Sequence, residues 1–326
     1  MRAFVVSRPG GPEVLELGEV PRPVDEPGRV RIGIEAFGLN RAEAVTRAGG
    51  SGDAVPFPRV IGIECVGRVL DAGGTGLTVG QTVAAAMGGM GRAYDGSYAE
   101  ETSVPRSNVF PLDTTLAWEV LGAVPETFFT AWGSVQVAGG SGRGVRMLVR
   151  PGASALGLAI AQIVVADGGE VIGVTRSASK RDRLIERGFT EVLVADGPVV
   201  AAVRDRWPGG ATGVVDTIAS DVSLADDLDL LADGGRICVS GSLADSYGTG
   251  ETATVGGYFA RDDVGFYSSE ELDAAHDTAT LQAVVDRVAD GTYAAGIDEV
   301  IAFEDLPAAH ERMEANAYAG KVVVRM

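Results

Sequence analysis

The sequence predicts an α/β protein of two domains, a β-rich domain and a domain built on a six-stranded doubly wound sheet. Its 326 residues exceed the roughly 250 to 300 at which single hydrophobic cores stop growing. Short apolar or alternating runs fill residues 3–110, and strand-like runs alternate with helical ones in the residues that follow. The second pattern is typical of a parallel sheet covered by helices on both faces.

The first 110 residues have the pattern of a compact β-barrel-like domain. The predicted strands are Phe4 to Val6, Val30 to Ala36, Gly62 to Leu70 and Thr82 to Ala86. Turn signals rich in Gly and Pro separate these runs, and repeated short strands between such turns are typical of barrels.

The doubly wound sheet is predicted from the alternating region that follows. Its six strands are Met147 to Arg150, Val171 to Val174, Glu191 to Val194, Val214 to Asp216, Ile237 to Ser240 and Val264 to Tyr267. The tail from Glu270 has two helical patterns and a last strand, Lys321 to Arg325, which do not extend this series. We therefore assign residues 1–123 and 263–326 to the β-rich domain and residues 124–262 to the doubly wound one.

Composition and charge exclude several classes of function. The 45 acidic and 27 basic residues give a formal charge of -18, which repels nucleic acid and anionic membrane surfaces. No apolar run approaches the roughly 18 residues of a membrane span, and none near the N-terminus has signal-peptide length. We predict a cytoplasmic protein whose two cysteines, Cys65 and Cys238, are buried thiols.

A small-residue turn between a strand and a helix predicts a dinucleotide site. The turn runs from Arg150 through Pro-Gly-Ala-Ser-Ala-Leu to Gly157 and leads directly into an apolar helix. A pyrophosphate reaches the first-turn amides of a helix only where the neighbouring side chains are small. The residues we assign to this site are Gly152, Ser154, Ala155 and Leu156. The strict Gly-x-Gly-x-x-Gly fingerprint is absent, so the alternative is that small residues merely permit close packing.

The end of the next strand indicates which dinucleotide binds. Sites for NAD place a carboxylate here to hold the ribose 2′-hydroxyl, but this strand ends in Thr175 and Arg176, with Lys180 shortly after. Guanidinium and ammonium groups suit a 2′-phosphate. We therefore predict NADPH as cofactor, against the alternative that these bases are only a solvated helix start.

Several segments along the chain have an order and spacing known from one family. They are Gly10–Leu15, Gly38–Glu43, Pro58–Glu64, Gly96–Glu100, Thr130–Ser134, the turn Arg150–Gly157, Ala309–Glu314 and Gly320–Val324. Through them the chain resembles the zinc-free quinone oxidoreductase-like branch of the medium-chain dehydrogenase/reductase superfamily, over essentially its full length. The resemblance implies a GroES-like catalytic domain, a Rossmann domain, a cleft between them and a homodimer.

The resemblance also implies that the chain binds no zinc. The catalytic metal of zinc alcohol dehydrogenases is held at three places where this chain has Asn40, Ile63 and Glu126. Zinc needs three protein ligands and an open position, and an isoleucine cannot be a ligand. The chain has too few cysteines for the structural zinc lobe as well.

Without a metal, a carbonyl or enone has to be polarised by hydrogen-bond donors, and a proton has to come from a side chain or water. Asn40 matches the family asparagine near the nicotinamide, although capping of a turn is its alternative role. The usual proton donors are replaced by Ala42 and Val45, which leaves Tyr94 as the best remaining donor. Tyr94 is otherwise an exposed tyrosine of a glycine-flanked loop.

The remaining cofactor contacts are implied by the resemblance alone. They are Thr130 below the nicotinamide ribose, Gly241 and Ser242 after the fifth strand, and Lys321 in the terminal segment. The predicted function is zinc-independent, NADPH-dependent reduction of a quinone, enone or other activated double bond in a small apolar or conjugated carbonyl substrate. The alternatives are a non-redox cyclase or tailoring enzyme of a biosynthetic pathway and a binding module that senses NADPH.

Overall fold

A computed structural model of the chain describes residues 1–52, 55–243 and 255–326. Its strands are β1 (Arg2–Val6), β2 (Leu15–Glu19), β3 (Arg29–Gly38), β4 (Glu64–Asp71), β5 (Thr82–Ala86), β6 (Glu101–Pro105), β7 (Val109–Pro111), β8 (Arg146–Arg150), β9 (Glu170–Thr175), β10 (Glu191–Val194), β11 (Ala211–Asp216), β12 (Leu231–Val239), β13 (Val264–Phe266), β14 (Ile297–Ala302) and β15 (Lys321–Arg325).

Among the described residues, ten α-helices occur between these strands along the chain. They are α1 (Arg41–Arg47), α2 (Trp118–Leu121), α3 (Pro125–Val137), α4 (Ala155–Ala166), α5 (Arg181–Glu186), α6 (Val200–Arg206), α7 (Asp221–Leu230), α8 (Val255–Tyr258), α9 (Ala274–Ala289) and α10 (Leu306–Glu314). Within the described residues, no helix is both long enough and apolar enough to cross a membrane.

The chain divides into two compact units. Unit 1 contains Met1–Glu126, Ser269–Gly291 and Ile297–Met326, and unit 2 contains Thr127–Ser268 and Thr292–Gly296. The predicted boundary at residue 263 differs from this division, because β13 pairs in parallel with β12 and so lies in unit 2. The segment 292–296 also returns to unit 2, which no change of sequence pattern indicates.

Unit 2 contains the predicted six-stranded parallel sheet. Its strand order is β10-β9-β8-β11-β12-β13, so the chain moves outward in one direction from β8 and then in the other from β11. The central strands are apolar over several consecutive residues, as parallel strands buried on both faces require. Leu148, Ile172, Val214 and Ile237 form the middle of this core. The predicted fold class is confirmed here.

Unit 1 contains a seven-stranded mixed sheet and a separate β1-β2 hairpin. Five predicted strands are present, as β1, β3, β4, β5 and β15, but β2, β6, β7 and β14 were not predicted. In β14 the acidic Asp298 and Glu299 interrupt the apolar run, and the strand forms by pairing in parallel with β15. Cys65, in β4, and Cys238, in β12, are both free and buried, which confirms their prediction as thiols.

Candidate functional site

The small-residue turn connects β8 to α4, and Ser154 is the N-cap of that helix. The Ser154 hydroxyl accepts a hydrogen bond from the Gly157 amide at 2.9 Å and donates one to the Pro151 carbonyl oxygen at 2.9 Å. Because its proton is used within the turn, the hydroxyl fixes the start of α4. A direct contact of Ser154 with phosphate stays a prediction.

Two amides at the start of α4 are open. The backbone N–H groups of Ala155 and Leu156 donate to no described residue, whereas the next two amides bond to Ser154. The first amides of any helix lack intrahelical partners, and the aligned peptide dipoles make this end partially positive. The 12-residue helix therefore presents two directed donors and a favourable potential to an anion.

Two glycines allow the turn, the helix and the second strand to lie close together. A Cβ on Gly152 would lie 2.9 Å from the Gly173 Cα atom in β9. A Cβ on Gly157 would lie 2.7 Å from the Gly152 carbonyl oxygen and 2.8 Å from that of Pro151. The close approach to the strand is therefore made by Gly152, whereas Gly157 packs on the turn.

We expect Gly157→Val to cost about 1–3 kcal/mol of stability and to weaken dinucleotide binding, because α4 must move away from the turn. Gly209→Val is the matched control in unit 2, since the nearest heavy atom to its Cβ is 3.7 Å away. Urea unfolding and nucleotide fluorescence titration measure both effects. Equal behaviour of the two variants would contradict the close-packing argument.

The end of β9 lies directly beside the turn, because the Gly152 amide donates to the Val174 carbonyl oxygen at 2.8 Å. Thr175 is buried, and its hydroxyl accepts a hydrogen bond from the Ser177 amide at 3.2 Å. The Arg176 side chain is exposed and that of Lys180 is half-buried. The structure thus brings the predicted pyrophosphate and 2′-phosphate residues to one edge of the parallel sheet.

The other predicted cofactor residues of unit 2 lie on two further elements. Gly241 follows β12 with a φ of +133°, a backbone conformation that favours glycine, and lies beside Thr217. Ser242 follows it, and the next residue, Leu243, donates its amide to the Thr217 carbonyl oxygen at 2.9 Å. Thr130 is half-buried in α3. Their contacts with a nicotinamide stay predictions.

In unit 1, two predicted residues meet in a buried polar cluster. The Lys321 ammonium donates to the Asn40 Oδ1 atom at 2.7 Å and to the Glu64 Oε1 atom at 2.7 Å. The Asn40 Nδ2 atom donates to the same Glu64 oxygen at 2.9 Å. Lys321 is 1% exposed and Glu64 is fully buried, so the Asn40 amide is held at both ends by charged groups.

Glu43 continues this cluster on the first turn of α1. Its carboxylate accepts the backbone amides of Asn40 at 2.8 Å and Ile63 at 3.0 Å, and the Tyr98 hydroxyl at 2.7 Å. Burial raises the pKa of Glu43 to about 7, against the opposing effect of these donors. The capping alternative for Asn40 is thus also realised, since Asn40 is the N-cap residue of α1 and its backbone N–H donates to the Glu43 carboxylate.

A chain of hydrogen bonds runs from Glu43 through Tyr98 to His310 and Arg47. The His310 Nδ1 atom lies 2.7 Å from the Arg47 Nη1 atom, and its Nε2 atom lies 2.8 Å from the Tyr98 hydroxyl. Because a guanidinium only donates, His310 accepts at Nδ1 and carries its proton at Nε2. Arg47 in turn pairs with Glu314. A guanidinium keeps its protons, so this chain fixes geometry and does not carry protons inward.

His310 gives unit 1 an acid-sensitive component of stability. Burial and the Arg47 charge lower its pKa to about 3, below its ordinary value of about 6.5. Between these values the unfolded chain binds a proton that the folded chain does not. The contribution of His310 is therefore complete above pH 6.5 and is lost as the pH falls, by about 1.4 kcal/mol per pH unit.

We expect His310→Gln to remove this component, because its amide oxygen and nitrogen can replace the two ring nitrogens as acceptor and donor. The free energy of unfolding of wild type should rise relative to that of the variant by about 1.4 kcal/mol per pH unit as the pH rises from 4.5 to 6.5. Urea unfolding at several pH values measures it, with the exposed His276 changed to Gln as control. Parallel pH curves for wild type and His310→Gln would rule this explanation out.

Tyr94 is not the exposed loop tyrosine that the sequence suggested. Its ring is half-buried, the Arg29 guanidinium carbon lies 4.5 Å from the ring centroid, and its hydroxyl is buried without a hydrogen-bond partner among the described residues. Burial raises the pKa of this hydroxyl. Its role as proton donor stays a prediction, and an accessible hydroxyl is what that role requires.

The positions of the zinc ligands in metal-dependent relatives have other roles here. The Ile63 amide donates to Glu43, and the Glu126 amide donates to the Glu64 Oε2 atom at 2.9 Å. Within the part of the chain that the structure describes, no three His, Cys, Asp or Glu side chains are grouped to hold a metal ion.

Comparison with known proteins identifies the chain. A model of the alcohol dehydrogenase GroES-like domain matches residues 26–114, and one described as zinc-binding dehydrogenase matches residues 187–324. The protein is therefore an oxidoreductase with a Rossmann domain for a nicotinamide dinucleotide. It belongs to the quinone oxidoreductase-like branch of the medium-chain dehydrogenase/reductase superfamily, as its sequence segments suggested.

Individual relatives agree with this assignment. The quinone oxidoreductase of Mus musculus is 29% identical over 252 residues, which cover 74% of this chain and 73% of that protein. A crystal structure of an NAD-dependent alcohol dehydrogenase is 27% identical with a TM-score of 0.84, covering 100% of both chains. The structure of Escherichia coli quinone oxidoreductase complexed with NADPH has a TM-score of 0.86 at 19% identity, again over 100% of both chains, and shows likeness of fold.

Proposed function

We propose that this protein is a zinc-independent, NADPH-dependent oxidoreductase that reduces a quinone, an enone or another activated double bond. The observation that carries the proposal is the end of β9, where Thr175, Arg176 and Lys180 stand in place of a carboxylate. The names of the similar structures include one with NADPH and one dependent on NAD, so likeness of fold does not choose between the cofactors.

The residues of unit 2 fit such a cofactor. The open amides of Ala155 and Leu156 suit the pyrophosphate, and the small side chains of the turn let it approach. Arg176 offers a planar fork of donors to a 2′-phosphate, and Lys180 adds a second positive charge. When bound, the nicotinamide supplies a hydride. We propose that Thr130, Gly241 and Ser242 hold its ring and ribose.

The residues of unit 1 that concern the hydride acceptor are Asn40 and Lys321, whose proposed role is to orient the reacting groups. We propose that Asn40 orients the nicotinamide or the substrate oxygen, and that Lys321 acts through Asn40 as a positioning residue. The support for this is the direct hydrogen bond between their side chains, together with the burial of the Lys321 ammonium. Rigid placement of a donor before reaction is what makes such a group effective. The proton comes from Tyr94 or from water.

Purified protein, assayed with NADPH and NADH against a panel of quinones, enones and acyl thioesters, tests the proposal. We expect NADPH to be consumed with at least one of these acceptors, and kcat/KM for NADPH to exceed that for NADH by about tenfold or more. Failure to bind or oxidise NADPH with any acceptor would overturn it. Tight NADPH binding without turnover would favour a binding module that senses the cofactor.

A second candidate is a non-redox cyclase or tailoring enzyme, acting on a polyketide-like substrate. The burial of the Tyr94 hydroxyl favours it, since the best predicted proton donor is not presented to a substrate. A product of unchanged mass formed without consumption of NADPH would distinguish this candidate. For either function we propose a cytoplasmic protein that forms a homodimer. Light scattering on the purified protein measures the molar mass and so tests the dimer.

A further inference from the structure

Four charged side chains lie buried together below the dinucleotide turn. They are Arg150 at the end of β8, Asp216 at the end of β11, and Asp226 and Asp227 on α7, each at most 5% exposed. The first two end neighbouring parallel strands, because Arg150 and Asp216 are paired in the ladder. In sheets of this kind ligands bind at the carboxyl ends of the strands, so the cluster lies at the functional edge.

Two of the three carboxylates are well supplied with donors. Asp226 accepts the Val199 amide at 3.0 Å and the Val200 amide at 3.3 Å, and the Arg150 Nη2 atom at 2.8 Å. Asp216 accepts the Ser223 hydroxyl at 2.6 Å and the Ile218 amide at 2.6 Å. The oxygens of both groups therefore have directed hydrogen-bond donors, as buried carboxylates require.

Asp227 differs from both neighbours. It is 0% exposed, and its close charged contact is the Arg150 Nη2 atom at 2.6 Å, which Asp226 also uses. Neither of its oxygens makes a well-directed hydrogen bond to a described residue. Three ionised carboxylates around one guanidinium would leave two uncompensated negative charges in a buried site, which is expensive. Burial and the nearby Asp216 charge accordingly raise the pKa of Asp227 well above its usual range.

We propose that Asp227 is protonated at neutral pH and bridges Asp216 and Arg150, and that this proton-bearing cluster positions the dinucleotide turn. Arg150 transmits the effect, because it directly precedes Pro151 in the turn and its carbonyl oxygen accepts the Thr217 amide at 3.0 Å. The second half of the inference depends on the proposed binding of NADPH at this turn, whereas the first half does not.

The protonated carboxyl has a defined effect on stability. The charged groups that face Asp227 are Arg150 on β8, Asp216 on β11 and Asp226 on α7. A carboxyl whose folded-state pKa is raised stabilises the protein fully below the ordinary aspartate pKa of about 4. This contribution is lost progressively as the pH rises toward the folded-state pKa. An asparagine at position 227 does not titrate, so its contribution to stability does not fall as the pH rises.

Asp227→Asn and Asp226→Asn, two adjacent and chemically identical changes, test the proposal. In Asp227→Asn the amide can donate to Asp216 and accept from Arg150, so its Tm should match wild type at or below about pH 4, where the Asp227 contribution is complete. Above that pH, the Tm difference between Asp227→Asn and wild type should grow in favour of the variant by about 3 °C per pH unit, up to the folded-state pKa of Asp227. In Asp226→Asn the new NH2 group faces a backbone N–H donor from which it cannot accept a hydrogen bond. The Tm should therefore fall by about 5 °C at every pH.

NADPH titration of the same proteins at pH 7 measures the positioning role. We expect Asp227→Asn to keep the wild-type affinity within about twofold and Asp226→Asn to lose about tenfold. Parallel Tm curves for wild type and Asp227→Asn, or destabilisation by both variants at every pH, would overturn the protonation. Equal NADPH affinity in all three proteins would overturn the positioning. If wild type binds no NADPH, the proposed function fails while the Tm curves still decide the protonation.

Discussion

Lys321→Met is expected to lower the free energy of unfolding by about 3–5 kcal/mol, the largest single effect that the structure indicates. The substitution removes the ammonium but leaves the Glu64 carboxylate, which is fully buried and loses its counter-charge. Asn40 loses the donor to its Oδ1 atom at the same time. Breaking a buried ion pair on one side is costly because the remaining charge cannot be hydrated. Urea unfolding measures the loss.

The double variant Glu64→Gln with Lys321→Met is the control for this result. It removes both charges while the Gln oxygen still accepts from the Glu126 amide, so it should be more stable than Lys321→Met alone. A loss of less than about 1 kcal/mol in the single variant would show that water reaches Glu64 and that the pair does not hold Asn40.

Arg176→Asp is expected to weaken NADPH binding by about 100-fold while changing NADH binding by less than about threefold. The change removes a charge-assisted hydrogen bond, worth about 1.5–3 kcal/mol, and places a like charge beside the 2′-phosphate. Each 1.4 kcal/mol corresponds to a factor of about ten in Kd. NADH has a 2′-hydroxyl at this place, which can donate a hydrogen bond to an aspartate, as in sites specific for NAD. Fluorescence titration with both nucleotides measures the two constants.

Arg8→Asp is the charge-matched control, because Arg8 is exposed and lies in unit 1. It alters the net charge of the protein by the same amount as Arg176→Asp and should leave both affinities within about twofold. Equal weakening of NADPH and NADH in Arg176→Asp would remove the 2′-phosphate assignment, although the protein could still bind a dinucleotide at the turn.

The sequence predicted the parts of the fold that depend on neighbours along the chain. Buried parallel strands such as β8 and β11 are continuous apolar runs, and the turn after β8 is contiguous, so both are visible in the sequence. Strands such as β14 form only because a partner strand supplies the hydrogen bonds of their backbone. Their polar residues interrupt the apolar pattern by which a strand is predicted. These depend on tertiary pairing, which no local pattern contains.

The same distinction explains the candidate site. Asn40 and Lys321 are 281 positions apart, and Arg150 and Asp226 are 76 apart, so no spacing indicates that either pair meets. Glu43 carried a weak signal, since an acidic residue three positions after Asn40 is a capping pattern. Tyr94 was misjudged because a glycine-rich loop suggests exposure, whereas its ring packs beneath Arg29.

The burial of Lys321 has a practical consequence for chemical labelling. The chain has two lysines, Lys180 and Lys321, and the ammonium of the second is enclosed by Asn40 and Glu64. An acylating reagent needs an amine that it can reach from solvent, and the Lys321 side chain is 1% exposed whereas that of Lys180 is half-buried. Among the lysines of the folded protein, such a reagent is therefore directed to Lys180. A dye coupled there would sit at the start of α5, beside the edge of the sheet where the cofactor phosphate is proposed to bind.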